Sequence, residues 1–459
     1  MMLIRLLIII LVFLIACKVQ KQEKTEVENQ CGDNKKTEQL KPLFISHKSD
    51  YFKNNFLRYE DFIYKRNIKT VLLHKEGLEL SIPVIELNTG EKLKLSFDDL
   101  EGGHKTYKYR FIHCDAYWQP SDIMESEYLN GFYDDYITDY KYSYNTRQKY
   151  THYELTFPSE NMSITVSGNY VLAAFTDESR DSLIFTKRFL VYEPKLSINP
   201  TVKRATRLED RNYRHEIDFT ITANSYRISN PYNDLKVVIT QNGRWDNALN
   251  DLKPMFVRDN LLDYNFDEGN SFSGGNEYRR FDIKSLKYNS ERIRIIQSDS
   301  LTGRLAVYLK DDERRNIKVY MSDIDINGRR FIKSEDNVKN SSIEADYVFV
   351  NFCLPYKPVR NDGDFYIMGA LTDWNFNKEA KMKYNYDNQC YENVLYIKQG
   401  YYNYQYVFLE NGAKQGDETV IEGSHYETEN EYIIYVYHRE AGTLFDKLVG
   451  VKMLTAKLF

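Results

Sequence analysis

Hydrophobic and polar residues alternate along several short stretches of this chain. Tyr107, Tyr109 and Phe111 alternate with Lys108 and Arg110, which is the period-two pattern of a strand with one buried face. Comparable runs lie on both sides, separated by Gly, Asn and Asp, and the seven predicted strands are Ile68–Leu73, Leu78–Leu87, Lys92–Phe97, Lys105–Cys114, Tyr150–Phe157, Gly168–Thr176 and Ser182–Tyr192. Seven short strands of this kind predict an antiparallel β-sandwich over residues 42–194.

The alternation continues through the rest of the chain. In residues 195–340 the predicted strands are His215–Ala223, Leu235–Thr240, Arg279–Leu286, Arg292–Gln297 and Leu305–Leu309. In residues 341–459 they are Tyr347–Leu354, Asp364–Leu371, Cys390–Ile397, Asn403–Phe408 and Glu431–His438. The composition, with 39 Tyr and 25 Phe, also favours strands. We therefore predict an all-β fold of three tandem antiparallel β-sandwiches, immunoglobulin-like or early-set-like, over 42–194, 195–340 and 341–459.

One connection in the first predicted domain is long and aromatic. Residues 116–146 lie between two predicted strands and contain nine aromatic residues: Tyr117, Trp118, Tyr128, Phe132, Tyr133, Tyr136, Tyr140, Tyr142 and Tyr144. Connections of this length in compact domains are usually functional or disordered, and this one is too aromatic for simple disorder. Two interpretations stay open: the aromatic side chains form a binding surface, or they fold back and cover the sandwich as core.

The pattern of residues at the N-terminus indicates an export signal. An apolar run from Leu6 to Ala16 follows Arg5, and it is too short to span a bilayer, so residues 1–16 are predicted to be a signal peptide. Leu14-Ile15-Ala16-Cys17 looks like a bacterial lipobox, which makes Cys17 the predicted lipidation site. Residues 17–41 that follow are almost entirely polar, and we predict a flexible tether. By resemblance to lipoprotein sorting rules, Lys18 after the cysteine favours transfer to the outer membrane.

Charge and motifs exclude several classes of function. A formal charge of −5, from 62 basic and 67 acidic residues, argues against a general nucleic-acid binder. The chain has no Gly-x-Ser-x-Gly, Walker A or His-Glu-x-x-His motif, and its eight histidines show no metal-ligand spacing. His113 and Cys114 have the residue types of a base and a nucleophile, but neighbouring strand residues point to opposite faces. We expect no catalytic residues, no metal and no cofactor.

The third predicted domain offers a carbohydrate-binding alternative. Residues Asp364–Trp374 and Lys398–Tyr406 together resemble an early-set sandwich of the glycogen-binding type. Trp374, Tyr402 and Tyr404 are candidates to stack on sugar rings, although alternating tyrosines are also typical of a core face or a protein-docking face. Cys353 and Cys390 fall in this domain, and they either pair or remain buried free thiols.

Three sequence runs in the first domain identify a family. His113-Cys114-Asp115 with Trp118-Gln119-Pro120-Ser121, then Glu127–Phe132, then Ser167–Tyr170 occur in this order. Over residues 40–194 the chain resembles the plug protein of the type IX secretion system. The resemblance implies a non-enzymatic periplasmic protein that binds the inner mouth of a giant outer-membrane β-barrel translocon and blocks its pore when idle.

The resemblance and the N-terminal pattern together give the functional expectation. We expect a protein of the periplasm, anchored to the inner leaflet of the outer membrane through Cys17, with the barrel as its partner. The predicted contacts are taken from the aromatic connection and are Trp118, Tyr128, Phe132, Tyr136 and Tyr140. The alternative is an outer-membrane-anchored carbohydrate-binding lipoprotein that uses the third domain.

Overall fold

A computed structural model describes residues 56–298, 303–336 and 338–456. The predicted signal peptide (1–16), the tether (17–41) and the lipidation site Cys17 lie outside the described residues. The described chain is almost entirely β-structure in mostly antiparallel sheets, so the predicted fold class is confirmed. Within these ranges, no helix has the length and apolar character needed to cross a membrane.

The first sandwich consists of two sheets packed face to face. One sheet has the order β1-β12-β11-β5-β7 with β3 added to β12, and the other has the order β2-β4-β9-β8. Its strands are β1 Phe62–Ile63, β2 Ile68–Lys75, β3 Val84–Glu86, β4 Leu93–Asp99, β5 Tyr107–Cys114, β6 Leu129–Gly131, β7 Asp135–Ile137, β8 Asp139–Tyr142, β9 Thr151–Phe157, β10 Met162–Ile164, β11 Gly168–Thr176 and β12 Leu183–Tyr192, with one short helix, α1 Glu125–Tyr128. An aromatic core that includes Phe97, Phe111 and Phe185 lies between the sheets.

The predicted strand Leu78–Leu87 is wrong over most of its length. Only Val84–Glu86 is a strand, where it pairs in parallel with β12, and residues 78–83 form turns and bends with one isolated bridge at Leu78. Pro83 has no amide hydrogen to contribute to a ladder. Leu78 and Leu80 are exposed rather than packed on a sheet, so their alternation with polar residues does not reflect a buried face.

A second sandwich forms around two further sheets. These have the orders β13-β14-β17-β16, with β18 on β14, and β15-β28-β29. The strands are β13 Ser197–Arg204, β14 Arg214–Thr222, β15 Leu235–Gln241, β16 Phe256–Arg258, β17 Leu261–Tyr264, β18 Ser271–Ser273, β28 Asn430–His438 and β29 Lys447–Ala456, with helix α2 Pro231–Asp234. Their shared core contains residues from 196–272 and from 432–456.

The third sandwich is built from the chain that lies between those two parts. Its sheets are β19-β27-β22, with β24 on β27, and β20-β21-β23-β26-β25. The strands are β19 Arg279–Asp282, β20 Ile293–Ser298, β21 Leu305–Leu309, β22 Arg330–Ile332, β23 Tyr347–Pro355, β24 Gly363–Met368, β25 Lys383–Asn385, β26 Cys390–Lys398 and β27 Gly400–Glu410, with helices α3 Ser341–Glu344 and α4 Thr419–Glu422 and a 3-10 turn at Ala370–Thr372.

Strand pairing does not follow the expected division at residue 340. β15, from the expected 195–340 domain, pairs along its whole length with β28, from the expected 341–459 domain. The third core instead draws on residues from 281 to 421. The limits of the three predicted domains, 42–194, 195–340 and 341–459, stay a prediction. The sheets show the chain leaving one sandwich near residue 275 and returning to it near residue 425.

Cys353 and Cys390 form a disulfide rather than remaining two buried free thiols. Their Cα atoms are 5.9 Å apart on the neighbouring strands β23 and β26, within the usual range for a disulfide. Cys114 is a buried free thiol. The bridge joins two strands of one sheet.

Buried contacts join the first sandwich to the other two. Asp98 of the first accepts hydrogen bonds from Lys398 Nζ at 2.6 Å and Tyr347 Oη at 2.7 Å of the third, and it lies 2.6 Å from His152 Nδ1. Burial alone raises the pKa of Asp98, but Lys398 and His152 outweigh it and hold that pKa below its ordinary value. Toward the second sandwich, Tyr437 donates to Asn169 at 2.8 Å.

Candidate partner-binding surface

The aromatic connection crosses one open side of the first sandwich. β7 pairs with β5 at the edge of one sheet, and β8 pairs with β9 at the edge of the other. Only Thr138 separates β7 from β8, so the chain passes directly from one sheet to the other. Ile137 points into the core and fixes the crossing. The connection is therefore an ordered part of the sandwich, and its side chains have defined faces.

Six aromatic side chains of this segment face outward. We call them the aromatic edge: Phe132, Tyr133, Tyr136, Tyr140, Tyr142 and Tyr144. Phe132, Tyr136 and Tyr140, all predicted contacts, are 62%, 45% and 40% exposed. An exposed group of large aromatic residues is unusual on a monomeric protein and makes this surface a candidate for partner binding.

Local packing holds these rings in place. Lys108 Nζ lies 4.5 Å from the centre of the Tyr136 ring, and the same ammonium pairs with Asp177. The Tyr140 ring lies 4.5 Å from His104 and 5.7 Å from Tyr142. Rings held by neighbours lose little conformational entropy when a partner covers them.

Phe132 is positioned by the glycine before it. Gly131 has φ of 102°, and a Cβ there would lie 2.2 Å from the carbonyl oxygen of Asn161, so the position requires glycine. The amide of Phe132 donates to that same carbonyl at 2.8 Å. The chain turns outward at this point and presents the Phe132 ring to solvent.

Two of the predicted contacts are not on the surface. Tyr128 is buried in the core of the first sandwich and donates to the carbonyl of Phe111. Trp118 is buried between the first and second sandwiches, where its ring packs edge-on against Trp245 with centroids 4.9 Å apart and Arg188 lies over it. Trp118 and Tyr128 are therefore core. Phe132, Tyr136 and Tyr140 are exposed, and their role in a binding surface stays a prediction.

The surroundings of the aromatic edge are acidic. Residues 122–141 contain six acidic residues and one basic residue. Among them, Asp134 is paired with Arg180 at 2.5 Å, and Asp139 at the start of β8 is exposed. A partner for this surface therefore needs apolar or aromatic patches with polar or basic groups around them.

A groove of about 570 Å³ adjoins the aromatic edge at Tyr133 and Met124. His113 lines it, with Nδ1 2.8 Å from Ser121 Oγ and Nε2 3.3 Å from the carbonyl of Ser167. Burial lowers the pKa of His113 to about 4, so the ring is neutral near pH 7. Cys114 lies on the opposite face of β5 in a different hydrophobic cluster, so the pair cannot act as base and nucleophile.

The residues of the carbohydrate alternative do not form an exposed platform. Tyr402 and Tyr404 are buried in the core of the third sandwich. Trp374 packs against Tyr278, and Arg244 lies 5.2 Å from its ring centre. Over the described ranges, no group of three or more His, Cys, Asp or Glu residues is arranged to hold a metal ion.

Comparison with known proteins connects this geometry to a family. The family model for the first domain of the type 9 secretion system plug protein matches residues 68–193, which contain the whole aromatic edge. A crystal structure of a hypothetical protein from Parabacteroides merdae is similar, with 35% identity and a TM-score of 0.84 over 87% of this chain and 100% of that one. Among the curated proteins compared with this chain, none matches. The chain therefore belongs to the type IX secretion system plug protein family, a non-catalytic kind of protein, which gives it a role in type IX secretion and a location in the cell envelope.

Proposed function

We propose that this protein binds the periplasmic mouth of the giant outer-membrane β-barrel translocon and blocks its pore when no substrate is passing. The observation that carries the proposal is the aromatic edge, which lies inside the domain that the family model matches. Tyrosine and other aromatic residues dominate the energetics of protein interfaces. Phe132, Tyr136 and Tyr140 are the central contacts.

A steric block requires a body that does not yield when it is pressed against a pore. The contacts between the sandwiches support such a body. Asp98 with Lys398 joins the first to the third, Trp118 with Trp245 joins the first to the second, and a salt bridge between Arg329 and Glu431 joins the third to the second. Each sandwich is thus fixed to both of the others, and movement at one interface is restrained by the other two.

The aromatic edge is suited to reversible binding. Acidic residues such as Asp135 and Asp139 lie next to its rings in the chain, so a matching partner provides long-range attraction as well as apolar contact. An interface of partly exposed rings and solvated charges gives specificity, while it still permits release when another component or a substrate arrives.

The anchor and the tether complete the proposal. Lipidation of Cys17 attaches the N-terminus to the inner leaflet of the outer membrane, where several acyl chains give stable attachment. The segment from 18 to 41 has 24 residues, most of them polar, and a tether of that length would reach roughly 25–30 Å. The folded part is thereby kept close to the membrane that contains the barrel, which raises its effective concentration at the pore.

An affinity purification tests the proposal. The tagged protein is recovered from detergent-solubilised outer membranes, and its partners are identified by mass spectrometry. A full-length Cys17→Ala variant separates partner binding from shared residence in the membrane. Near-stoichiometric recovery of one giant β-barrel with both forms supports the proposal. Recovery of no barrel, while the protein remains folded and other barrel complexes survive, contradicts it.

A further inference from the structure

A second exposed apolar group lies far from the aromatic edge in sequence. Residues 316–324 form a loop, which we call the apolar loop, between β21 and β22 of the third sandwich. Its four aliphatic side chains, Ile317, Val319, Met321 and Ile324, are 77–93% exposed. Single exposed apolar residues need no explanation, but four within eight residues form a patch that monomeric proteins rarely leave uncovered.

The start of the apolar loop is anchored to the third sandwich. The amides of Arg315 and Asn316 donate to the carbonyl of Ile421 at 2.7 and 3.0 Å. The Arg315 guanidinium pairs with the buried carboxylate of Glu422 at 2.6 Å. The loop therefore leaves the sandwich at a fixed point.

The middle and the end of the loop are anchored as well. Tyr320 turns inward and donates to Glu277 at 2.5 Å. Arg280 donates to the carbonyl of Ile324 at 2.7 Å, and the amide of Ile326 donates to Asn403 at 2.6 Å. The one aromatic residue of the loop thus serves as an anchor, and the aliphatic residues on either side of it point away. A loop held in this way is preorganised for a partner of matching shape.

The charges beside the loop indicate what kind of partner fits. Residues 311–325 contain five acidic and three basic residues, and the exposed acids Asp311, Glu313 and Asp323 each pair with a basic side chain, Arg294, Lys318 and Arg280 in turn. A rim of paired charges of both signs lacks the basic excess that attracts an anionic lipid surface. Membrane-interface segments also use Trp, Tyr and basic residues, whereas Tyr320 faces inward. The tether at 18–41 is too polar to cover an apolar patch.

We infer that the apolar loop inserts its four aliphatic side chains into an apolar pocket of a protein partner, rimmed by charged groups of both signs, as a second contact with the translocon. The inference rests on the proposed function for the identity of that partner. The apolar loop differs from the aromatic edge in chemistry, since aliphatic side chains fill a pocket and tyrosines cover a surface. The inference also places a partner contact on the third sandwich, outside residues 68–193, which the family model matches.

The test replaces Ile317, Val319, Met321 and Ile324 together by serine in the full chain. These side chains make few contacts within the fold, so we expect an unchanged urea midpoint. Affinity for the solubilised barrel is expected to fall at least about 30-fold, as for the loss of an interface hot spot.

The matched control is Leu78→Ser with Leu208→Ser and Leu444→Ser, three exposed leucines elsewhere, which we expect to leave the affinity within about twofold. If wild-type protein binds the barrel and the loop variant binds it equally well, the inference is overturned and the proposed function stands. If wild-type protein binds no barrel, both fall.

A second measurement, by crosslinking, does not require the serine variant to fold. A photo-crosslinking amino acid in place of Val319 is expected to attach to the barrel in intact envelopes. Crosslinking only to lipid overturns the inference. It is also overturned if full-length Cys17→Ala protein floats with vesicles of phosphatidylethanolamine and phosphatidylglycerol and the serine variant does not. Crosslinking to a second copy of this chain, matched by a dimer in solution, also overturns it.

Discussion

Replacing Tyr136 and Tyr140 together by alanine tests the aromatic edge directly. The two residues are 45% and 40% exposed. A tyrosine side chain has roughly 200 Å² to bury, so each offers a partner about 80–90 Å². At about 25 cal/mol per Å² this area corresponds to about 2 kcal/mol for each ring. Complete coverage of both gives about 4 kcal/mol, or about 1,000-fold in Kd.

The expected result is a loss of at least about 30-fold in affinity for the purified barrel, because hot-spot contributions are not additive. The variant should remain folded. Tyr136 loses its contact with Lys108 and Tyr140 loses its ring contacts with His104 and Tyr142, at about 1 kcal/mol for each position. Binding is measured by biolayer interferometry, and folding by urea denaturation of the same preparation.

The matched control is Tyr288→Ala with Tyr386→Ala, two tyrosines that are 59% and 77% exposed. It removes the same atoms from a different surface, and we expect the affinity to change by less than about twofold. Equal affinity of the Tyr136 and Tyr140 double variant and wild-type protein would refute the assignment of the aromatic edge. Unfolding of that double variant would instead show that the rings serve the core.

Three further outcomes are expected. Lys398→Met leaves Asp98 buried without its ammonium partner and should lower the unfolding free energy, measured in urea, by about 3–5 kcal/mol. The control Lys69→Met removes an exposed salt bridge with Glu379 and should cost less than about 1 kcal/mol. Equal losses for the two variants would contradict the buried contact. Burial raises the pKa of Glu277 to about 7, so the folded state holds this proton more tightly than the unfolded state, and the contribution of Glu277 to wild-type stability is lost as pH rises from about 4.5 to about 7. Glu277→Gln removes that dependence, and its unfolding free energy relative to wild type should rise by about 3 kcal/mol across this range; a parallel pH profile of the two proteins would contradict the assignment. Cys114 should resist a water-soluble thiol reagent in the native protein and react after denaturation, and fast native labelling of Cys114 itself, separated from Cys31 by peptide mapping, would show that the site opens.

Most of the longer strands of the first sandwich follow from local pattern. β11 matches the predicted Gly168–Thr176 at both ends, because a strand buried on both faces gives a clear apolar run between turn residues. The opposite directions of His113 and Cys114 also follow from the strand period alone. These features depend on neighbours in sequence, and the sequence therefore predicts them.

Features that depend on distant parts of the chain were not predictable in this way. The Glu431–His438 strand is present within β28, but its partner β15 is nearly 200 positions away, and alternation alone does not identify a partner. Trp118 and Tyr128 belong to the same aromatic connection as Tyr136, yet Trp245 and the first core bury them. The apolar loop has the alternation of a strand at Ile317, Val319 and Met321, and only the structure shows that no sheet covers it.

Single-channel recording on the purified translocon barrel tests the central proposal most directly. Wild-type protein is added on the periplasmic side of a barrel that has been stripped of its native plug. We expect the large open conductance to fall in discrete steps, at concentrations that match the measured affinity, and to return when the protein is washed out. An open conductance that persists at saturating protein would contradict the proposal that this chain blocks the pore.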